Sequence, residues 1–380
     1  MRDIVAHLAS MIDPPIGQNL SRDLRQPLGQ PICMFDVSDD EKFMREALRE
    51  ARKALGHTSP NPAVGAVLVS RNRIVARGYH RGPGLPHAEV DCLKKFKRAV
   101  PKDAVLYVTL EPCSSVGRTG ACTDALIRAG VKTVVIGATD PNPQHRGRAV
   151  EILRGAGVEA RSGVLAEECS ALNEAFNKWI ATGIPFVIAK CGMSLDGRLT
   201  KPTKESRWVT SRAARGHAQQ LRAQTDAILV GANTIRLDNP RLTVRGIRGA
   251  RQPVRVILTR SGKLPPRSRV LTDHRAKNTL IYRDQPLAAV LADLGKNDVT
   301  SIVIEGGGNT LGHALEQRLI DKVQIYIAPL ITGGGIPAFS GRGAGATAEA
   351  AHLQRVRFEK IGPDICITGY PKYPSLRPGE

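Results

Sequence analysis

A chain of 380 residues is longer than one ordinary core needs, so two folded units are expected. Hydrophobic residues at 42% and charged residues at 24% exclude a disordered or collagen-like chain, and no apolar run is long enough to cross a bilayer. The net charge of +20 suggests nucleic acid as a partner, but the basic residues form no block, and aromatics at 4% offer little for stacking bases.

Residues 1–36 scatter Pro and Gly without a sustained period and read as a loose N-terminal extension. They lack the charged-then-apolar plan of a secretion signal, and Asp3, Asp13, Asp23 and Asp36 argue against an organellar leader, so a cytoplasmic location is expected. Ser38-Asp39-Asp40-Glu41 then has capping-box spacing, and Met44, Leu48, Ala51 and Leu55 recur at helical intervals until Gly56. Stretches 63–69 and 74–79 read as strands joined by the turn-like Ser70-Arg71-Asn72-Arg73. A helix from about His87, a strand at 104–110, a helix at 122–129 stopped by Gly130 and a strand at 131–137 complete the order α-β-β-α-β-α-β. That order matches the cytidine-deaminase-like fold.

A long helical segment, 165–181, runs into Thr182-Gly183-Ile184-Pro185, where a domain junction is expected. Beyond it, strands are readable at 186–191, 227–230, 254–258, 279–282, 301–304 and 323–327, with helices at about 212–223, 287–294 and 311–319. The pair 355–360 and 365–370 closes a mostly parallel sheet of dihydrofolate-reductase type. The strand at 301–304 leads through Glu305-Gly306-Gly307-Gly308 into a helix, where unobstructed backbone amides form a cradle for a diphosphate.

In the first half, His87-Ala88-Glu89 is followed by Pro112-Cys113 and then by Cys122. One imidazole and two thiolates make three protein ligands and leave a fourth tetrahedral position open, as a catalytic zinc requires. Glu89, two positions past the His, reaches a ligated water without ligating and moves protons. H-x-E with P-C is the zinc-deaminase signature, although eight residues separate these cysteines where that signature has two. The other five of the seven cysteines show no second metal spacing and read as structural.

The stretch Glu111-Pro112-Cys113-Ser114-Ser115-Val116-Gly117-Arg118-Thr119-Gly120-Ala121-Cys122 resembles the E-P-C-S-x-x-G-x-T-P-P-C segment of the bifunctional deaminase-reductases of riboflavin biosynthesis, with Gly120-Ala121 in place of two prolines. The resemblance extends over about 40–370, through Thr58-Ser59-Pro60-Asn61-Pro62, Lys190-Cys191-Gly192-Met193-Ser194-Leu195-Asp196-Gly197-Arg198 and Asp238-Asn239-Pro240-Arg241-Leu242-Thr243-Val244-Arg245. It implies a cytidine-deaminase-like three-layer α/β domain over 37–183 and a dihydrofolate-reductase-like α/β domain over 184–380. It further implies one zinc on His87, Cys113 and Cys122, with Glu89 as general acid/base and Asn61 against the pyrimidine. NADPH would meet Gly192, Trp208, Thr234, Asp238 and the run Gly307, Gly308, Asn309, Thr310, Leu311, Gly312 and His313, and Arg260 would lie near the ribose 2'-phosphate. The substrate, a phosphorylated pyrimidine, would meet Ser206, Arg222, Leu242, Arg245 and Glu305. Arg222 and Arg245 are donors of the kind that bind a ribose phosphate. A homo-oligomer is expected, without membrane or nucleic acid. The alternative is a base-editing nucleic-acid deaminase with an inactive second domain, favoured by the charge and the shared H-x-E.

Overall fold

The computed structural model describes residues 39–114, 120–143, 145–199 and 208–374, so the expected extension at 1–36, the capping Ser38 and the expected substrate residue Ser206 lie outside the described residues. The first helix, α1 (Asp39–Arg52), carries Asp39, Asp40 and Glu41 in its first turn and Arg49 and Arg52 in its last, which complements the helix dipole. Its buried stripe of Phe43, Met44, Ala47, Leu48 and Ala51 faces a sheet. Strands β1 (Gly65–Ser70) and β2 (Arg73–Tyr79) form the expected hairpin, turning through Arg71 (φ 51°) and Asn72 (φ 58°) as a two-residue primed turn requires.

There follow α2 (Ala88–Phe96), β3 (Val105–Leu110), α3 (Cys122–Arg128), β4 (Thr133–Ala138), α4 (Arg148–Gly155) and β5 (Glu159–Ser162). The five-stranded sheet runs β2-β1-β3-β4-β5. The last helix-strand pair escapes pattern reading because β5 is a short edge strand, Glu-Ala-Arg-Ser, with only Ala160 buried. Alternation along β1 gives three layers: Val67 and Val69 pack under α1, while Ala66 and Leu68 pack against α2, α3 and α4. The single helix expected over 165–181 is two helices, α5 (Ala166–Leu172) and α6 (Glu174–Thr182). Asn173 breaks them apart, its side chain accepting from the Ala63 N–H at 2.7 Å and donating to the Ala63 carbonyl at 3.0 Å.

The second half holds β6 (Phe186–Ser194), α7 (Arg212–Gln224), β7 (Ala227–Gly231), α8 (Ala232–Asp238), β8 (Val254–Thr259), α9 (Arg269–Thr272), β9 (Thr279–Arg283), α10 (Leu287–Lys296), β10 (Ser301–Ile304), α11 (Gly308–Glu316), β11 (Lys322–Ala328), β12 (His352–Ile361) and β13 (Asp364–Lys372). Its eight-stranded sheet is ordered β12-β13-β11-β6-β10-β7-β8-β9, parallel from β11 to β9 and closed by the antiparallel β12–β13 hairpin. Its helices also cover both faces. Leu287, Val290, Leu291 and Leu294 of α10 pack with Leu311 of α11 on one side, and Ile235 of α8 and Val270 of α9 on the other. From Asp39 onward the chain coheres as one unit. No helix of the described residues is long and apolar enough to cross a membrane.

Helix α1 lies close on the sheet at Gly65, where an added Cβ would stand 2.1 Å from the Ala47 carbonyl oxygen and 2.4 Å from the Ala51 nitrogen of α1. Gly65→Ala is therefore expected to cost about 1–3 kcal/mol or more in thermal or urea unfolding. Gly155→Ala, with no atom within 4 Å of the new methyl, should be neutral or slightly stabilising in the same assay.

Candidate functional site

His87 is the N-cap of α2, with extended backbone and no cap bond from its side chain, so its ring is left to project into the pocket between α2 and α3. Cys122 opens α3. Cys113 lies in the loop after β3 rather than on a helix, but it is tied to the start of α3: the Cys122 N–H donates to Cys113 Sγ at 3.3 Å and the Thr123 N–H to the Cys113 carbonyl at 3.3 Å. His87 Nδ1 stands 3.2 Å from Cys122 Sγ and 3.5 Å from Cys113 Sγ, and the three donor atoms lie within 4.8 Å of one another. Tetrahedral zinc bonds of about 2.05 Å to nitrogen and 2.3 Å to sulfur would separate the donors by about 3.6 Å. The triangle is thus the size of a zinc site.

Its protons point the same way. The Cys113 thiol is pulled down to about 4, chiefly by the hydrogen bond from Cys122, while that bond and burial push the Cys122 thiol up. The bond to Cys113 also raises His87. Cys113 is thus held as a thiolate by the protons of its two neighbours, and a cation at the centre would take the place of those protons. Glu89, in the first turn of α2, is 3% exposed, and burial pushes its carboxyl above the usual glutamate range beside the Cys122 thiol. Cys92, one turn along, is fully buried in the core, its thiol raised by burial to about 12.

Asn61 is positioned by a residue the sequence reading missed. His80 is 3% exposed, its Nδ1 is 3.2 Å from the Pro86 carbonyl and its Nε2 is 3.1 Å from Asn61 Nδ2. Burial lowers its pKa. The neutral tautomer assigned from these contacts donates from Nδ1 and accepts the Asn61 amide at Nε2. The rings of His80 and His87 meet edge to face at 5.1 Å, which places Asn61 one residue from the donor triangle. His80 belongs to no spacing motif, so nothing in the sequence singles it out.

In the second half, a cleft of about 440 Å³ opens where β7 and β10 end, lined by Trp208, Arg222, Thr234, Asp238, Pro240, Arg241, Leu242, Arg245, Arg269 and Glu305. Seven of the expected contacts converge there. Arg222 commits three of its five N–H groups within the protein, gripping Glu305 through Nε at 2.6 Å and Nη2 at 2.8 Å and reaching the Thr243 carbonyl through Nη1 at 3.0 Å. Lys190 on β6, also missed, stands 3.6 Å from the same carboxylate. Burial alone would raise the Glu305 pKa, but the charges of Arg222 and Lys190 hold it down to about 2. Leu242 sends its side chain into the core and can offer only backbone, at φ +48°; with Asn239 at φ +41°, the cleft wall carries two non-glycine residues in the left-handed region.

The glycine run is only partly a cradle. Gly307 faces open space, but a Cβ on Gly308 would stand 2.1 Å from the Pro337 carbonyl oxygen, and one on Gly312 would stand 1.5 Å from that of Ser340. These two glycines admit the 337–340 segment. Leu311 is core, Thr310 packs against Gly306, and Asn309 and His313 are exposed, His313 against Gln317. Gly192 backs onto Thr210, and Arg260 stands exposed past β8, outside the cleft lining.

Residues 37–138 match the cytidine and deoxycytidylate deaminase zinc-binding region, and residues 185–367 match the RibD C-terminal domain. The chain is 37% identical over 359 residues to the riboflavin biosynthesis protein RibD of Bacillus amyloliquefaciens, covering 88% of this chain and 96% of that one. It is 37% identical over 363 residues to RibD of Escherichia coli (strain K12), covering 86% and 98%. The solved structure of Acinetobacter baumannii RibD (form 1) superposes with a TM-score of 0.82 at 33% identity, covering 89% of this chain and 100% of that one. The Thermotoga maritima diaminohydroxyphosphoribosylaminopyrimidine deaminase/5-amino-6-(5-phosphoribosylamino)uracil reductase superposes with 0.81 at 34%, covering 88% and 99%.

Elemental analysis of the purified protein is expected to find about one zinc per chain. Cys122→Ser should lose it, whereas Cys92→Ser, altering a thiol outside the triangle, should retain it.

Proposed function

The chain belongs to the RibD family, the bifunctional deaminase-reductases of riboflavin biosynthesis, and on that premise we propose that its two sites act in turn on one phosphorylated pyrimidine. The division falls at Gly183, with deamination in 37–183 and reduction in 184–380. The substrate of the first site is 2,5-diamino-6-(ribosylamino)pyrimidin-4-one 5'-phosphate, and that of the second is the deaminated product, whose ribosyl group becomes ribityl. The observation that carries this reading is the His87, Cys113 and Cys122 triangle with the buried Glu89 beside it.

Zinc held by those three residues would supply Lewis acidity, lowering the ionisation of water toward about 7. Glu89 would take one proton from the attacking water and pass it to a ring nitrogen, then take the second from the newly added hydroxyl and deliver it to the amino group, which departs as ammonia as the carbonyl forms. Its raised pKa suits a group that must accept a proton and return it. Asn61, with its amide held by His80, meets the ring edge.

The reductase half uses NADPH, which supplies the hydride. Trp208, Thr234 and Asp238, which line the cleft, would hold it, Gly307 would leave room for its diphosphate, and Arg245 would meet the substrate phosphate. Glu305, kept ionised by Arg222 and Lys190, is an acceptor for a sugar hydroxyl. Arg222 acts by orienting Glu305. The nucleic-acid-editing alternative is set aside, since the relatives matched along most of the chain are riboflavin biosynthesis proteins. A cytoplasmic homo-oligomer completes the reading; it is supported by edge strand β12, which leaves Phe358 72% exposed with Leu353 and Val356 near it.

Glu89→Gln should lower deamination about 10²- to 10⁴-fold while zinc stays bound and reduction of already deaminated substrate is unchanged. Arg245→Ala or Asp238→Ala should do the reverse, releasing ammonia without oxidising NADPH. If Arg260 meets the 2'-phosphate, Arg260→Ala should narrow the preference for NADPH over NADH; unchanged selectivity removes it from the site.

A further inference from the structure

We propose that Asp226, in the reductase half, is a positioning residue for the deaminase: through Ser59 it fixes the turn that presents Asn61. This rests on the reading of Asn61 as a contact to the pyrimidine. The turn spans Thr58 to Asn61, closed by the Asn61 N–H donating to the Thr58 carbonyl at 2.8 Å. It is held in three places. His80 takes the Asn61 amide, Asn173 clamps the backbone of Ala63 just downstream, and upstream the Ser59 hydroxyl donates to Asp226 Oδ2 at 2.8 Å. Only the last anchor comes from the other half of the chain.

Asp226 can serve as an anchor because it is itself buried and held by several partners. It is 5% exposed at the start of β7, and its Oδ2 also accepts the Thr300 N–H at 2.8 Å, the Thr300 hydroxyl at 2.7 Å and the Ser301 N–H at 3.1 Å. Its Oδ1 pairs with Arg251, and its own N–H donates to Ser301 Oγ at 3.0 Å. The carboxylate is thus bolted to the adjoining starts of β7 and β10. The chain entering the turn is seated as firmly: Gly56, at φ +81°, lies where a Cβ would stand 2.1 Å from the Ala223 carbonyl at the end of α7. A ring-reading amide displaced by about 1 Å loses its bond, so an anchor two residues upstream matters to binding. Removing the Ser59 hydroxyl leaves Asp226 with the Thr300, Ser301 and Arg251 partners, so no buried charge is stranded and folding is spared.

The test uses full-length protein and four variants: Ser59→Ala, Ser59→Thr, Asn61→Ala and the Ser59→Ala/Asn61→Ala double. Deaminase KM and kcat are measured with the phosphorylated diaminopyrimidine, reduction with the deaminated substrate, and zinc by elemental analysis. Ser59→Ala should raise the deaminase KM about three- to tenfold, with kcat within about twofold, zinc and reduction unchanged, and Ser59→Thr restoring KM. The double variant should be no worse than Asn61→Ala alone, as expected when one change acts through the other. If Asn61→Ala raises KM but Ser59→Ala does not, or if their effects simply add, or if Ser59→Thr fails to restore binding, Asp226 does not position Asn61. Equal damage to reduction by Ser59→Ala would also overturn the proposal, by showing a lesion of the seam. A wild-type KM in Asn61→Ala overturns both the positioning and the role of Asn61.

Discussion

Two thiols and an imidazole that converge within 4.8 Å in a pocket between helices cannot each keep a proton, and much of the first domain follows from that constraint. His87 and Cys122 sit at the starts of α2 and α3, and Cys113 is tied to the start of α3 by the Cys122 N–H. β3 must deliver Cys113 to the start of α3, and the core pairs Leu106 and Val108 of β3 with Ala88 and Cys92 of α2 and Leu126 of α3, so packing sets the distances among ligands. Glu89 is carried into the same buried volume by the first turn of α2. Its helix position puts it beside the metal site, and the burial that raises its pKa suits it to proton transfer.

The second domain solves a different electrostatic problem. A carboxylate at the end of β10 would be neutralised by burial, and it stays charged only because Arg222 from α7 and Lys190 from β6 flank it. Breaking this pair from one side would strand a buried charge. The flanking cations therefore belong to the architecture of the cleft as much as to its chemistry. The strained backbone at Asn239 and Leu242 wraps the facing wall, bringing Asp238 and Arg245 to the same opening.

The triangle of His87, Cys113 and Cys122 was legible because its chemistry resides in residue type and spacing, and neither changes on folding. The central strands β1, β3, β4, β6, β7, β8 and β10 were legible because they are largely buried on both faces and read as apolar runs. What stayed hidden depends on partners remote in sequence. Asn173 interrupts a helical pattern because it meets Ala63, 110 positions away. Arg222 has the residue type of a phosphate ligand, and only its approach to Glu305, 83 positions on, reveals it as a support. Gly308 reads as open backbone for a diphosphate and the resemblance sets Gly312 against NADPH, yet the 337–340 segment occupies the space their missing side chains leave. His80 acquires meaning only through Asn61 and Pro86.

The central claim is that one chain carries both chemistries in a fixed order. It is tested most directly by supplying the full-length protein with the phosphorylated diaminopyrimidine, first without and then with NADPH, and following ammonia and NADPH separately. The account predicts ammonia release without NADPH, and NADPH oxidation that begins only once ammonia has appeared and reaches the same molar amount. NADPH oxidation with no ammonia, or ammonia release with no oxidation when NADPH is added, would contradict it.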